Sequence, residues 1–164
     1  DGRLDIVSTV WPHYLIALYQ PEKSSLDWEL EVIGTIKPDL LVSVSLADID
    51  SDGDFDAFVG SYSQGSRDKD DVDSSNQALG SVAWFEKTGS GWKKNNVLRR
   101  KRGMYDKWIP IDLDKDGDLD FVGTRGNSKP YDGVIWLEQV RSEEPIPTFI
   151  QARIEDSISV PFLD

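Results

Sequence analysis

Two stretches of the chain concentrate carboxylates at a spacing that wraps a cation. Asp48, Asp50, Asp52, Asp54 and Asp56 alternate with Ile49, Ser51, Gly53 and Phe55. Asp112, Asp114, Asp116, Asp118 and Asp120 alternate with Leu113, Lys115, Gly117 and Leu119. Calcium takes about six to eight oxygens in a forgiving geometry, so alternating carboxylates suit it. Positions 1, 3, 5 and 9 of each loop are expected to offer side chains, and position 7 (Asp54, Asp118) its backbone carbonyl. The glycine at position 6 permits the tight turn that brings these groups together. Without a cation, so many neighbouring carboxylates repel one another strongly. Magnesium fits less well, because it demands a tighter octahedron and keeps its waters. An EF-hand loop starts in the same way but requires a Glu at position 12 and a following helix. Position 12 is Val59 in one loop and Gly123 in the other, each inside a run that reads as strand.

A third Asp-Gly pair opens the chain. Asp1, Arg3 and Asp5 match positions 5, 7 and 9, which makes a half-site, and Asp164 matches position 1 of a following loop. The loops are therefore the regular punctuation of a repeat. After each comes a β-rich run: Ile6 to Val10, Ala57 to Tyr62, and Phe121 to Thr124. A second strand follows at Tyr14 to Tyr19, Ser81 to Glu86, and Gly133 to Glu138. A third opens with an aromatic and places a β-branched residue five positions on: Trp28 with Ile33, Trp92 with Val97, and Phe149 with Ile154. A fourth leads into the next acidic loop at Leu41 to Leu46, Lys107 to Ile111, and Ile158 to Leu163.

The expected fold is thus all-β. Twelve short strands form three four-stranded antiparallel units, approximately 1–51, 52–115 and 116–164 of a single segment. Four strands per repeat of this length is the pattern of a β-propeller blade, with the strand entering the acidic loop innermost. Closure takes about four to eight blades. Three units predict that further blades come from the same or another chain.

The net charge of −12 has one source. Twelve Asp belong to the three loop copies, and the other 18 acidic residues balance 18 Lys plus Arg. That distribution favours cation ligation and argues against a nucleic-acid partner. No apolar run is long enough for a helical membrane span. Cysteine is absent, which excludes disulfides and thiolate metal sites.

His13 is the single histidine, and no G-x-S-x-G motif accompanies it, so no catalytic constellation is visible. Trp84 and Trp136 occupy equivalent strand positions, as do Trp28 and Trp92, which predicts packing between units. Trp11 and Trp108 are less regular and are candidates for a surface site. Arg99, Arg100, Lys101 and Arg102 read as a solvated basic loop, with an acidic polysaccharide patch as the alternative. The insertion from Gly65 to Gly80 lengthens the second unit, and loops on a rigid scaffold can carry function.

The acidic loops resemble the Asp-x-Asp-x-Asp-Gly-x-x-Asp sites of FG-GAP and VCBS repeats, the calcium-binding blades of integrin α-subunit-like propellers. Trp84-Phe85-Glu86 and Gly91-Trp92 are similar to later elements of that repeat, and Val59-Gly60 and Val122-Gly123 stand nearest its Phe-Gly element. The resemblance covers nearly the whole chain. It implies calcium that braces a turn within each blade. It also implies an extracellular, cell-surface or periplasmic module for binding or adhesion, with a glycan or surface protein as ligand. Two alternatives stand beside it: a non-catalytic assembly subunit, and the propeller domain of a polysaccharide-acting enzyme.

Overall fold

The computed structural model describes residues 2–22, 27–63, 77–126, 133–140 and 147–151. Asp1, Ile154, the expected strand from Ile158 to Leu163, Asp164 and most of the 65–80 insertion lie outside the described residues. Described residues form eleven strands and no helix. No helix among them is long and apolar enough to cross a membrane.

Three antiparallel sheets result. The first joins β1 (Ile6–Val10), β2 (Tyr14–Tyr19) and β3 (Glu29–Thr35) in that order. The middle sheet runs β4 (Leu40–Ala47), β5 (Asp56–Tyr62), β6 (Gly80–Thr88) and β7 (Gly91–Arg100). The last runs β8 (Trp108–Ile111), β9 (Asp120–Arg125), β10 (Gly133–Val140) and β11 (Thr148–Gln151). Each sheet is a meander, consecutive strands pairing antiparallel. The hydrogen-bonded sheets are offset by one strand from the repeat units: β4 and β8 end one acidic loop unit but open the next sheet.

Strand alternation explains the stacking. Successive side chains of a strand point to opposite faces. In β5, Ala57 and Val59 join an apolar cluster with Leu15, Ala17, Ile33 and Phe85, between the first and middle sheets. Phe58 turns the other way and joins Trp84, Trp108, Phe121, Ile135 and Leu137, between the middle and last sheets. The middle sheet is thus covered on both sides, and β5 is buried from Asp56 through Ser61. Phe58 and Phe121 stack across the second interface at 3.6 Å between ring centroids, and Phe149 meets both edge-on.

Close approach at the inner strands depends on absent side chains. A Cβ on Gly60 would lie 2.4 Å from the Tyr105 carbonyl oxygen and 2.8 Å from Trp108 Nε1. A Cβ on Gly123 would lie 2.4 Å from the Trp108 ring. This proximity lets Ser43 and Ser45 of β4 donate to the carbonyls of Tyr105 and Trp108 at 2.7 and 2.6 Å, which ties β4 to the chain entering β8. Tyr105 N–H in turn donates to the Ser61 carbonyl.

Trp108, expected as a candidate surface residue, is 2% exposed and sits in the core. Its indole fills the space that Gly123 leaves. Trp84 is buried between sheets as expected, whereas its counterpart Trp136 is only half-buried, and Trp11 is exposed. The basic run is not a solvated loop. Arg99 and Arg100 belong to β7, Arg99 pairs with buried Asp39, and Arg102 is buried.

Candidate metal centre

Each acidic loop connects the first two strands of a sheet, β4 to β5 and β8 to β9, so both loops project from the same end of their sheets. Inside them the chain repeats the same backbone turn. Position 4 is left-handed in both, Ser51 at φ 63° and Lys115 at φ 68°. Position 6 follows at φ 98° in Gly53 and 101° in Gly117, and Gly2 of the half-site matches at 84°. Such φ values exclude most side chains, which gives the glycine its fixed place.

The carboxylates close the loop on itself. Asp50 and Asp114 at position 3 accept the amide of position 5, at 3.3 and 3.2 Å. Asp52 and Asp116 at position 5 accept the amide of position 7, at 2.9 and 3.2 Å. Asp48 also accepts the Gly53 amide at 3.1 Å. These turns gather Asp48, Asp50 and Asp52 so that one oxygen of each lies within 4.8 Å of the others, and the same holds for Asp112, Asp114 and Asp116. Positions 1, 3 and 5 are therefore brought together in both loops. Asp54 is exposed at its loop tip.

Position 9 has a second task that its spacing did not disclose. Asp56 is fully buried; its Oδ2 accepts the Ile49 amide at 3.0 Å and its Oδ1 the Lys87 amide at 2.8 Å. Asp120 repeats this with the Leu113 amide at 3.2 Å and the Gln139 amide at 3.0 Å. Asp5 of the half-site accepts the Gln20 amide at 2.9 Å, at the same point of the first sheet. One carboxylate thus pins the start of the loop to the end of the neighbouring strand in both full loops, and Asp5 repeats the strand half of that contact. Arg3 is exposed beside it.

Burial and mutual repulsion raise three of the loop carboxyls. Burial pushes the Asp56 carboxyl up to about 6, despite the two amides it accepts, and the Asp50 and Asp52 charges add to the rise. Burial, then the charge of Asp52, raises Asp50; burial, then the charge of Asp116, raises Asp118. In both loops the Oδ1 of position 1, in Asp48 and Asp112, is buried without a hydrogen-bond partner. Buried acceptors are normally satisfied, and an orphaned one calls for an unseen ion or water. A divalent cation held by positions 1, 3 and 5 would satisfy it and neutralise the repulsion at once. The donor set, all hard oxygen, suits calcium.

The pH dependence carries a sign. Asp56 has a folded value raised from 3.8 to about 6, so its contribution is complete below 3.8 and is lost as pH rises through 6. Glu31 and Glu86 are lowered, by the Tyr19 hydroxyl and by Lys93 respectively, so their stabilisation is complete above their ordinary 4.5, is lost only as pH falls below it, and is constant between pH 7 and 5. In chelator, the melting temperature is therefore expected to rise as pH falls from 7 to 5. In calcium it is expected to fall, because protons compete for the same oxygens. Differential scanning calorimetry at the two pH values checks this, and parallel slopes in the two buffers would refute it.

Sequence reasoning did not reach the buried hub at the opposite end of the sheets. Asp39 accepts the Leu79 amide at 2.8 Å and two guanidinium contacts from Arg99 at 2.9 and 3.0 Å. Its carbonyl accepts from His13 Nδ1 at 2.7 Å, which gives the lone histidine a structural place. Nothing in the local sequence distinguishes Asp39 from the other acidic residues outside the loops.

No protein family, curated protein or solved structure matches the chain.

Proposed function

We propose that the chain is part of a calcium-stabilised β-propeller of the FG-GAP/VCBS type, working outside the cell as a binding or adhesion module. The observation that carries this reading is the pair of acidic loops with matching turns, each with a buried, unpartnered oxygen at position 1. Asp48, Asp50 and Asp52 would hold one calcium and Asp112, Asp114 and Asp116 the other. Asp56 and Asp120 brace the loops from behind, and the position 7 carbonyls are available as further oxygens. The ion supplies charge neutralisation and a fixed turn, a structural role. The blade assignment is supported by face-to-face stacking of antiparallel meanders, with β4 and β8 adjacent at one edge of the stack. An extracellular setting follows from the abundance of calcium there, since short exposed loops of this kind suit millimolar binding.

Binding is the function proposed for this scaffold, and the lone histidine has a structural place in it, His13 Nδ1 donating to the Asp39 carbonyl. A glycan or a surface protein is the proposed ligand. A glycan array probed with the calcium-loaded chain tests the carbohydrate form. Retention on a defined set of glycans, abolished by chelator, is the expected outcome. Uniformly blank arrays, with the protein folded and calcium present, would refute it.

A further inference from the structure

Among the described residues, the three stacked sheets leave two apolar faces uncovered, and the repeat says what fits them. By the loop aspartates, Asp5, Asp56 and Asp120 are equivalent, so every sheet has one face of each kind. One kind carries Ala57, Val59, Ala83 and Phe85 in the middle sheet, where it meets the first sheet. Its counterpart in the last sheet carries Phe121, Ile135 and Leu137, and meets the middle sheet. Its counterpart in the first sheet carries Ile6, Ile16 and Leu18, with Leu30 and Val32 on the neighbouring strand by register. That face meets no other described sheet, and Leu30 and Val32 are 57% and 56% exposed.

The second kind carries Phe58, Val82 and Trp84 in the middle sheet, against the last one. In the last sheet it carries Val122, Val134 and Trp136, with Ile109 paired to Val122 on β8. Val134 is 65% and Ile109 51% exposed. Of the fourteen large apolar side chains exposed among the described residues, nine lie on these two end faces. Within the chain, a face of the second kind packs on a face of the first kind twice. The free pair is one of each, so the two ends are complementary by the rule the interior already obeys.

We infer that two copies of this chain join end to end, the outer face of the first sheet on one copy seated on the outer face of the last sheet of the other. Both junctions form, and six sheets close into a ring. Heterologous contacts of this sort make rings when the rotation closes, and six blades lie within the usual range of about four to eight. Mutual burial removes both apolar patches from water, which a monomer leaves exposed. The junction also sets the half-site loop around Gly2 and Asp5 beside a second chain. The inference rests on the propeller reading above, and the two fail separately, as follows.

Light scattering coupled to size exclusion, on the full chain in calcium, is expected to give a particle of about twice 18.5 kDa. Val32→Lys, on the first sheet, and Val134→Lys, on the last, are each expected to yield folded monomers, since both side chains are more than half exposed within one chain. Leu30→Lys is the second variant for the first face and should behave as Val32→Lys does. An equimolar mixture of Val32→Lys and Val134→Lys retains one intact pair of faces and is expected to recover a dimer that neither forms alone. A monomeric wild type, a dimer indifferent to all three substitutions, or open higher oligomers would each overturn the two-copy ring. Calcium-dependent melting of such a monomer would leave the calcium-braced blade reading standing, whereas its loss would remove that reading whatever the oligomeric state.

Discussion

Millimolar calcium is expected to raise the melting temperature by about 10 °C or more, and Asp50→Ala or Asp114→Ala to remove about half of the gain each. A ligand that binds only the folded state at a hundred times its Kd adds about 2.7 kcal/mol per site. Two sites give about 5 kcal/mol, and a chain of this length shifts by about 2–4 °C per kcal/mol. The substitutions carry a second, sharper signature. In chelator, the position 3 carboxylate is a liability: burial and the neighbouring Asp52 charge already raise Asp50 from its ordinary value. Removing it relieves repulsion, so Asp50→Ala is expected to be as stable as the parent or slightly more stable without calcium, yet clearly less stable with it. Differential scanning fluorimetry across a calcium titration reads both signs. An unchanged melting temperature on adding calcium would remove the metal assignment, and a variant equally weakened in both conditions would make the loop aspartates merely structural.

That double signature depends on features the sequence makes legible to different degrees. The loops are fully legible, because a turn built from alternating carboxylates and a left-handed glycine leaves its spacing in the chain. Gly53 and Gly117 have the positive φ their position demands. Strands are legible for a related reason: β1, β2, β4, β5, β6 and β10 all lie where alternating or continuous apolar runs put them. What periodicity cannot state is which of two buried faces a side chain serves. Val59-Gly60 and Val122-Gly123 look like the same element. Counted from the loop aspartate, however, Gly60 stands four residues after Asp56 and Gly123 three after Asp120. They lie on opposite faces of their own sheets, and both abut Trp108 at one interface, Gly60 against the indole nitrogen and the Tyr105 carbonyl, Gly123 against the six-membered ring. Trp108 followed the same logic. An aromatic without a counterpart in other repeats suggests a ligand, but here it fills a space that exists only because residue 123 is glycine.

Position 9 shows the reverse case, where the residue was found and part of its task was not. A carboxylate has several lone-pair sites, and Asp56 directs both oxygens to backbone amides across its loop and onto the neighbouring strand. The contact with Lys87 spans 31 residues, a separation no local motif encodes. Only the recurrence of Asp5, Asp56 and Asp120 at one spacing hints that the sheet itself needs that residue.

The hub at the far end of the sheets is where a single substitution is expected to cost most. Asp39→Ala should lower unfolding stability by about 3–5 kcal/mol, the usual range for removing one partner of a buried ion pair. The side chain is 6% exposed and takes three hydrogen bonds: one from the Leu79 amide and two from Arg99. Its loss strands the Leu79 amide at a buried position and leaves Arg99 with the Gln77 carbonyl among its remaining acceptors. Asp39→Asn keeps an acceptor for the Leu79 amide while giving up the charge, so it is expected to fall between the parent and Asp39→Ala. Arg99→Ala should be nearly as damaging, because it leaves the Asp39 carboxylate buried and short of donors. Since the two residues share one interaction, the double substitution should cost less than the two single losses added together. Urea unfolding at fixed calcium measures all four. Losses within about 0.5 kcal/mol of the parent, the range of ordinary surface changes, would show that this end of the sheets is held by the apolar contacts of Leu15, Ile36 and Leu41 instead. The comparison also separates the two ends of the molecule: calcium should restore none of the Asp39 loss, because an ion held by the loops would brace the loop end, while Asp39 ties the first sheet's turn, through His13, to β7.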